Sequence, residues 1–80
     1  MQLEVLTPDQ NIFSGEVDSV TLPGSKGSFT ILQNHAPIIS ALDEGTLNYK
    51  DSEGDHSISI KSGFIECLNN RIVVLIEGTY

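Results

Sequence analysis

Few side chains in this 80-residue sequence are of the types that do chemistry, and their spacing argues against each use. Asp51, Glu53 and Asp55 alternate like the first ligands of a calcium loop. Such a loop needs a turn glycine at its sixth position and a bidentate glutamate at its twelfth to close the oxygen cage. Here glycine falls at the fourth position and Ser62 stands at the twelfth, so the segment reads as a solvated hairpin tip. His35 and His56 share no local ligand spacing with Cys67, the only cysteine, so neither a zinc site nor an intramolecular disulfide is expected. Cys67 lies between Glu66 and Leu68 in an apolar strand and reads as a small core filler. Ser14-Gly15, Ser25-Lys26 and Ser62-Gly63 lack the flanks of a nucleophile elbow or a Ser-Lys dyad. Pro23-Gly24-Ser25-Lys26-Gly27 has the glycines of a phosphate loop but leads into a strand, so no helix N-terminus stands behind it. No enzyme chemistry, metal or cofactor is expected. His35, in Asn34-His35-Ala36-Pro37, has two open readings: a residue that shapes its loop through backbone hydrogen bonds, or an exposed contact.

The elements that must position these residues are short strands. Turn signals recur at Pro8-Asp9-Gln10-Asn11, Pro23-Gly24, Asp43-Glu44-Gly45, Asp51 to Asp55 and Asn69-Asn70. Between them, Leu3/Val5, Val20/Leu22, Phe29/Ile31, Leu47/Tyr49 and Ile58/Ile60 alternate with polar neighbours, so each pair shares one face of a strand. Pro37 to Leu42 is the nearest approach to helical spacing, but it is short and β-branched. The fold class is therefore all-β: a small two-layer antiparallel β-sandwich, or flattened barrel, in one domain over residues 1–80. Ile72 to Ile76 is unbroken by polar residues, which predicts a central strand covered on both faces, with Gly78 marking its exit. The loops at Gly24–Ser28 and Asn34–Pro37 are expected to share one end of the sandwich.

Composition bounds the function further. Apolar residues are 39% and charged residues 19% of the chain, ordinary globular usage rather than the signature of disorder. A domain this small buries only about 60% of the surface its unfolded chain exposes, so its margin of stability is thin. Four basic against eleven acidic residues give a net charge of −7, which excludes an electrostatic footprint for nucleic acid or anionic lipid. That acidity serves solubility or complements a basic partner. The longest apolar run, Ile72 to Ile76, is far short of the ~20 residues that span a bilayer, and Met1-Gln2-Leu3-Glu4 has no basic leader region. A reducing, cytoplasmic setting is expected, with membrane association only through a partner.

Three motifs carry a family resemblance. LPGSKGSFTILQNHAP at Leu22 to Pro37 resembles the signature of the ε subunit of bacterial F-type ATP synthases, and IFSGEV at Ile12 to Val17 and SGFIECLNNRIVVLIE at Ser62 to Glu77 are similar to the same family in order and spacing. The likeness covers essentially the whole chain. Thr30 stands where relatives usually carry glycine, and Gln33 where they usually carry proline. Most relatives continue past the sandwich into a two-helix C-terminal hairpin; this sequence stops at Tyr80, so a short form without the hairpin, unable to block ATP hydrolysis by inserting helices, is expected.

The resemblance implies a non-catalytic central-stalk subunit that binds γ and the ring of c subunits and couples rotation to ATP synthesis. It would sit peripherally on the cytoplasmic face of the bacterial inner membrane, with no nucleic acid and no direct membrane insertion. By the same resemblance Thr7 and Ser40 face γ, with Ile38, Ile39 and Leu42 adding apolar area, although at least half of such apolar positions are expected to be ordinary core. Lys26, Ser28 and His35 face the c ring. The competing readings are a biotinyl- or lipoyl-type carrier domain, for which neither Lys26 nor Lys50 has the expected flanking residues, and a small hydrolase, for which no base-nucleophile pair can be named.

Overall fold

The computed structural model describes residues 1–77, so the expected exit at Gly78 and the stop at Tyr80 lie outside the described residues. Among the described residues the chain forms nine strands and no helix: β1 Gln2–Leu6, β2 Asn11–Glu16, β3 Ser19–Gly24, β4 Gly27–Leu32, β5 Ile38–Leu42, β6 Gly45–Asp51, β7 Gly54–Ile60, β8 Gly63–Leu68 and β9 Arg71–Ile76. The all-β expectation holds, and the Pro37 to Leu42 stretch is strand.

The strands form one sheet in the order β2-β1-β9-β8-β5-β3-β6-β7, with β4 on the other edge of β3. The sheet curls on itself, so that the β2-β1-β9-β8-β5 half faces the β4-β3-β6-β7 half across a shared core. The halves are joined where β5 meets β3, at the single pair Gly24↔Leu42. Every pairing is antiparallel except β1 with β9, which runs parallel from Gln2↔Arg71 to Leu6↔Leu75. Parallel neighbours need a long crossover, and here everything between the first and last strands supplies it.

Alternation sets the core. Leu3, Val5, Val20, Leu22, Ile31, Leu47, Ile60, Ile65, Ile72 and Val74 are all at most 1% exposed, and Phe13, Phe29, Tyr49 and Ile58 pack against them. All five alternating pairs of the sequence thus point inward. Across the open side of the curl, Phe13 of β2 meets Tyr49 of β6 with ring centroids 4.4 Å apart, and His56 of β7 stacks on Tyr49 at 5.0 Å. The Phe13–Tyr49 contact joins the two halves where no strand pairing does, and His56 backs it from within its own hairpin.

β9 differs from its expected environment. Ile72, Val74 and Ile76 are buried, but Leu75 is 53% exposed and Val73 is half-buried. The strand is central in the plane of the sheet, with β1 and β8 on either side, yet a two-layer fold covers only its inner face. Its apolar run therefore serves the core with one face and leaves the other to solvent.

The hairpin tips follow from local chemistry. Gly27 and Gly54 take φ values of 124° and 121°, a region that only glycine enters cheaply, and each closes a tight turn, after Ser25-Lys26 and Ser52-Glu53 respectively. The Asp51 carboxylate accepts the Glu53 backbone N–H at 2.9 Å and pairs with His56 Nε2 at 3.0 Å. These bonds, the backbone one foremost, hold the Asp51 carboxyl below its usual range. Because the folded value is depressed, the stabilisation is present above the ordinary aspartate pKa of about 3.9 and disappears as pH falls through the lowered folded value. Thermal midpoints recorded from pH 6 downward should show Asp51→Ala losing its deficit relative to the parent at the acid end.

Candidate partner-docking face

The outer face of β5, β8, β9 and β1 gathers what the core leaves out. Register places Ala41, Phe64, Leu75 and Leu6 in one row across these four strands, and Ile39, Glu66, Val73 and Glu4 in the next. Ile39 is 75% exposed, Phe64 61%, Leu75 53% and Leu68 51%. The first row continues into an open groove of about 520 Å³ whose apolar lining includes Leu6, Pro8, Ala41, Phe64 and Leu75. Carboxylates rim the face: Glu4 pairs with Arg71 at 2.9 Å, Asp43 accepts the Ser25 hydroxyl at 3.0 Å, and Glu77 accepts the Ser62 hydroxyl at 3.3 Å. The first row is apolar throughout, while Glu66 stands between Ile39 and Val73 in the second; exposed apolar area of this kind is a common feature of partner-binding surfaces. The strip is rigid, because β8, β9 and β1 beneath it are paired along both edges and bury their alternate residues.

The γ-contact set expected by resemblance divides by strand period. Ile39 points outward, whereas Ile38 packs against the core and Leu42 is buried. Leu42 can only back the groove that it lines. Ser40, partly buried on the inward side of β5, donates to the Ala41 carbonyl at 3.1 Å and borders a second groove, shared with Gly24 to Phe29 of the β3–β4 hairpin. Thr7 sits between Leu6 and Pro8 at the end of the apolar row, and its hydroxyl accepts the Asp9 and Gln10 backbone N–H groups, so it shapes the β1–β2 turn.

The ring-contact set is more dispersed than expected. Lys26 and Ser28 lie at the β3–β4 turn, next to the Gly24↔Gly27 pair, while His35 follows Leu32 at the far end of β4. The two loops therefore do not share one end of the sandwich. The six residues of β4 separate them, because the chain crosses the whole layer between one loop and the next. His35 shapes its loop and stays partly exposed: its Nδ1–H donates to the Ala36 carbonyl at 2.7 Å and its backbone N–H to the Leu32 carbonyl at 3.1 Å. In the neutral ring that leaves Nε2 as an acceptor.

Sequence reading missed Phe64, Leu68, Val73 and Leu75. A signal was present: Phe64 and Leu68 alternate with Ile65 and Cys67, and a strand apolar at both phases cannot hide both faces in a fold without a third layer. Cys67 itself is 2% exposed, and burial pushes its thiol pKa up, which keeps it protonated and inert. Lys26 does occupy a hairpin tip, as a carrier lysine would, but Lys50 lies within β6.

Comparison with known proteins agrees with this architecture. The ATP synthase epsilon chain of Maridesulfovibrio salexigens is 44% identical over 75 residues, covering 94% of this chain and 53% of that protein. The chloroplastic epsilon chain of Cyanidioschyzon merolae is 38% identical over 78 residues, covering 98% and 60%. This chain thus spans little more than half the length of these curated relatives. Among solved structures, a chain of the Euglena gracilis mitochondrial ATP synthase (OSCP/F1/c-ring) superposes with a TM-score of 0.89 at 20% identity, over 98% of this chain and 51% of that one. A chain of the Tetrahymena thermophila mitochondrial ATP synthase central stalk and c-ring gives 0.79 at 14% identity, over 99% and 64%. These two likenesses establish a shared fold. The model of the family described as ATP synthase, Delta/Epsilon chain, beta-sandwich domain matches residues 1–80, and to that family the chain belongs.

Proposed function

We propose that this chain is a non-catalytic subunit of the central stalk of a proton-translocating ATP synthase, and that it binds γ through the outer face of β5, β8 and β9. The observation that carries this reading is the exposed apolar strip of Ile39, Phe64 and Leu75 on a rigid two-layer scaffold. The names of the relatives supply the assembly, and the strip supplies a surface that gains by being covered. Burying a large apolar side chain contributes about 1.5–3 kcal/mol, so several half-exposed ones suffice to hold a partner.

Thr7 flanks the strip at one end, Ile38 and Ser40 line the second groove beside the β3–β4 hairpin, and Leu42 supports the strip from beneath. The c ring, in this reading, meets the opposite side of the β3–β5 junction. With Lys26 and Ser28 at one end of β4 and His35 beyond the other, that contact runs along the length of β4 rather than across one tip. Polar contacts of this kind are weak, about 0.2–1 kcal/mol each, so they fix orientation while the apolar strip supplies affinity. The chain would turn with γ and the ring, peripheral to the cytoplasmic face of the bacterial inner membrane, and would need no cofactor.

Copurification from the source cells and pull-down with γ of the same synthase test the assignment. Retention of γ without nucleotide turnover by the chain alone is the expected result; a folded γ that is not retained would sink the reading. The combined Lys26→Ala, Ser28→Ala, His35→Ala chain should still fold and retain γ, yet support less proton-driven ATP synthesis in reconstituted vesicles. Coupling equal to the parent's would remove these three residues from the ring contact.

A further inference from the structure

Asn34, in the loop between β4 and β5, and Asn70, in the turn between β8 and β9, face each other across 36 positions of sequence. The Asn34 backbone N–H donates to Asn70 Oδ1 at 2.6 Å, and Asn70 Nδ2 donates back to Asn34 Oδ1 at 3.0 Å. Both residues hold left-handed backbone, with φ of 65° and 61°, and Asn69 joins them at 50°. Such conformations are unfavourable for residues with a Cβ and persist where surrounding contacts over-determine them. Asparagine suits both positions for one reason: its short amide tolerates this backbone and offers a donor and an acceptor within reach.

The position of the pair gives it more than a local role. Asn70 also accepts the Gln2 backbone N–H through its carbonyl at 2.9 Å, so one turn residue ties together the start of β1, the β8–β9 hairpin and the β4–β5 loop. The β8–β9 hairpin carries Phe64, Leu68, Val73 and Leu75, the apolar strip. The β4–β5 loop carries His35. Side-chain bonds between Asn34 and Asn70 thus join the strands that hold one proposed partner to the loop that meets the other.

We infer that Asn70 is a positioning residue: through Asn34 it clasps the His35 loop to the β8–β9 hairpin, so that the loop moves with the γ-binding strands. The partners in this statement rest on the function proposed above, whereas the clasp itself rests on hydrogen bonds within the chain. Without it, what remains between the ends of β4 and β5 is the His35 N–H on the Leu32 carbonyl, within the loop itself, and the longer 3.3 Å contact of the Met1 ammonium with Gln33 Oε1, so the stretch around His35 can swing. A swinging loop absorbs displacement instead of transmitting it.

Three variants separate the parts of the clasp. Asn70→Gly keeps the left-handed backbone but removes both bonds; Asn70→Asp keeps the acceptor for the Asn34 N–H and loses only the Nδ2 donor; Asn34→Gly keeps that N–H and loses the Oδ1 acceptor. On the isolated chain, amide exchange at Asn34 should quicken roughly tenfold or more in Asn70→Gly and less in Asn70→Asp, while amides within β6 and β7 stay near the parent's rates. The double Asn34→Gly, Asn70→Gly chain should match Asn70→Gly, because the second change removes nothing further. In the assembled synthase, a cysteine at position 35 should crosslink to the ring in smaller yield when Asn70 is glycine, and partly recover with aspartate, with γ retention unchanged.

Asn34 exchange in Asn70→Gly equal to the parent's, or equal crosslinking yields in the two, would overturn the inference. If the parent itself never crosslinks, the function proposed above fails and takes the positioning role with it, whereas the exchange result on the isolated chain still decides whether the clasp exists.

Discussion

Replacing Phe64 with aspartate is expected to weaken γ binding by at least about a hundredfold while leaving the thermal midpoint of the isolated chain within a few degrees of the parent's. The two halves of this expectation have separate causes. Phe64 points away from the core and is 61% exposed, so its removal opens no cavity, and surface substitutions of this kind usually change stability by no more than about 0.5 kcal/mol. On binding, its ring sits at the centre of the row Ala41, Phe64, Leu75, Leu6, where a covered aromatic contributes most. The variant loses that burial and also brings a second carboxylate into a desolvated contact beside Glu66, which sits between Ile39 and Val73 in the next row. Together these exceed the roughly 2.8 kcal/mol that a hundredfold change requires. Titration calorimetry with γ, paired with a thermal scan of the free chain, measures both halves. A Phe64→Asp chain that binds like the parent would move the docking surface elsewhere.

The neighbouring residue is expected to behave in the opposite way. Ile65 is 1% exposed and lies on the inner face of β8, paired in register with Ser40 of β5 and Val74 of β9. Ile65→Ala should cost about 2–5 kcal/mol, the lost transfer energy plus the cavity left in a packed interior. A chain of 80 residues has a total stability of about 4–12 kcal/mol, so this one change consumes much of the margin. Urea denaturation should show a lower midpoint at an unchanged slope, and the fraction that remains folded should bind γ like the parent. A stable Ile65→Ala chain that lost γ binding would invert the assigned faces of β8.

The contrast between these adjacent positions shows how far the sequence could be read. Where apolar and polar residues alternate, as at Val20/Leu22 or Leu47/Tyr49, the pattern assigns inner and outer faces without ambiguity, and the core follows. Where a strand is apolar at both phases, as from Ile72 to Ile76, periodicity gives no phase, and burial on both faces is the natural expectation. Only the number of layers decides between a buried strand and an exposed one, and that number is a property of the whole chain. Ile38, Ile39 and Leu42 show the same limit: the resemblance placed them together, but the period of β5 turns Ile39 out and the other two in. The Asn34–Asn70 clasp was half legible, since Asn69-Asn70 carried a turn signal and Asn34 a loop motif. Their meeting depends on β4 and β8 ending at the same side of the molecule, which no local pattern encodes.

The central claim is that the outer face of β5, β8 and β9 is the surface covered by γ, and site-specific photocrosslinking in the intact synthase tests it most directly. A photoreactive residue would be placed in turn at Ile39, Phe64 and Leu75, and at Ser57 and Ser59 on β7 in the opposite half of the sheet. The account predicts crosslinks to γ from the first three positions and none from the β7 pair. Crosslinks to γ from Ser57 or Ser59, with none from Ile39, Phe64 or Leu75, would contradict it.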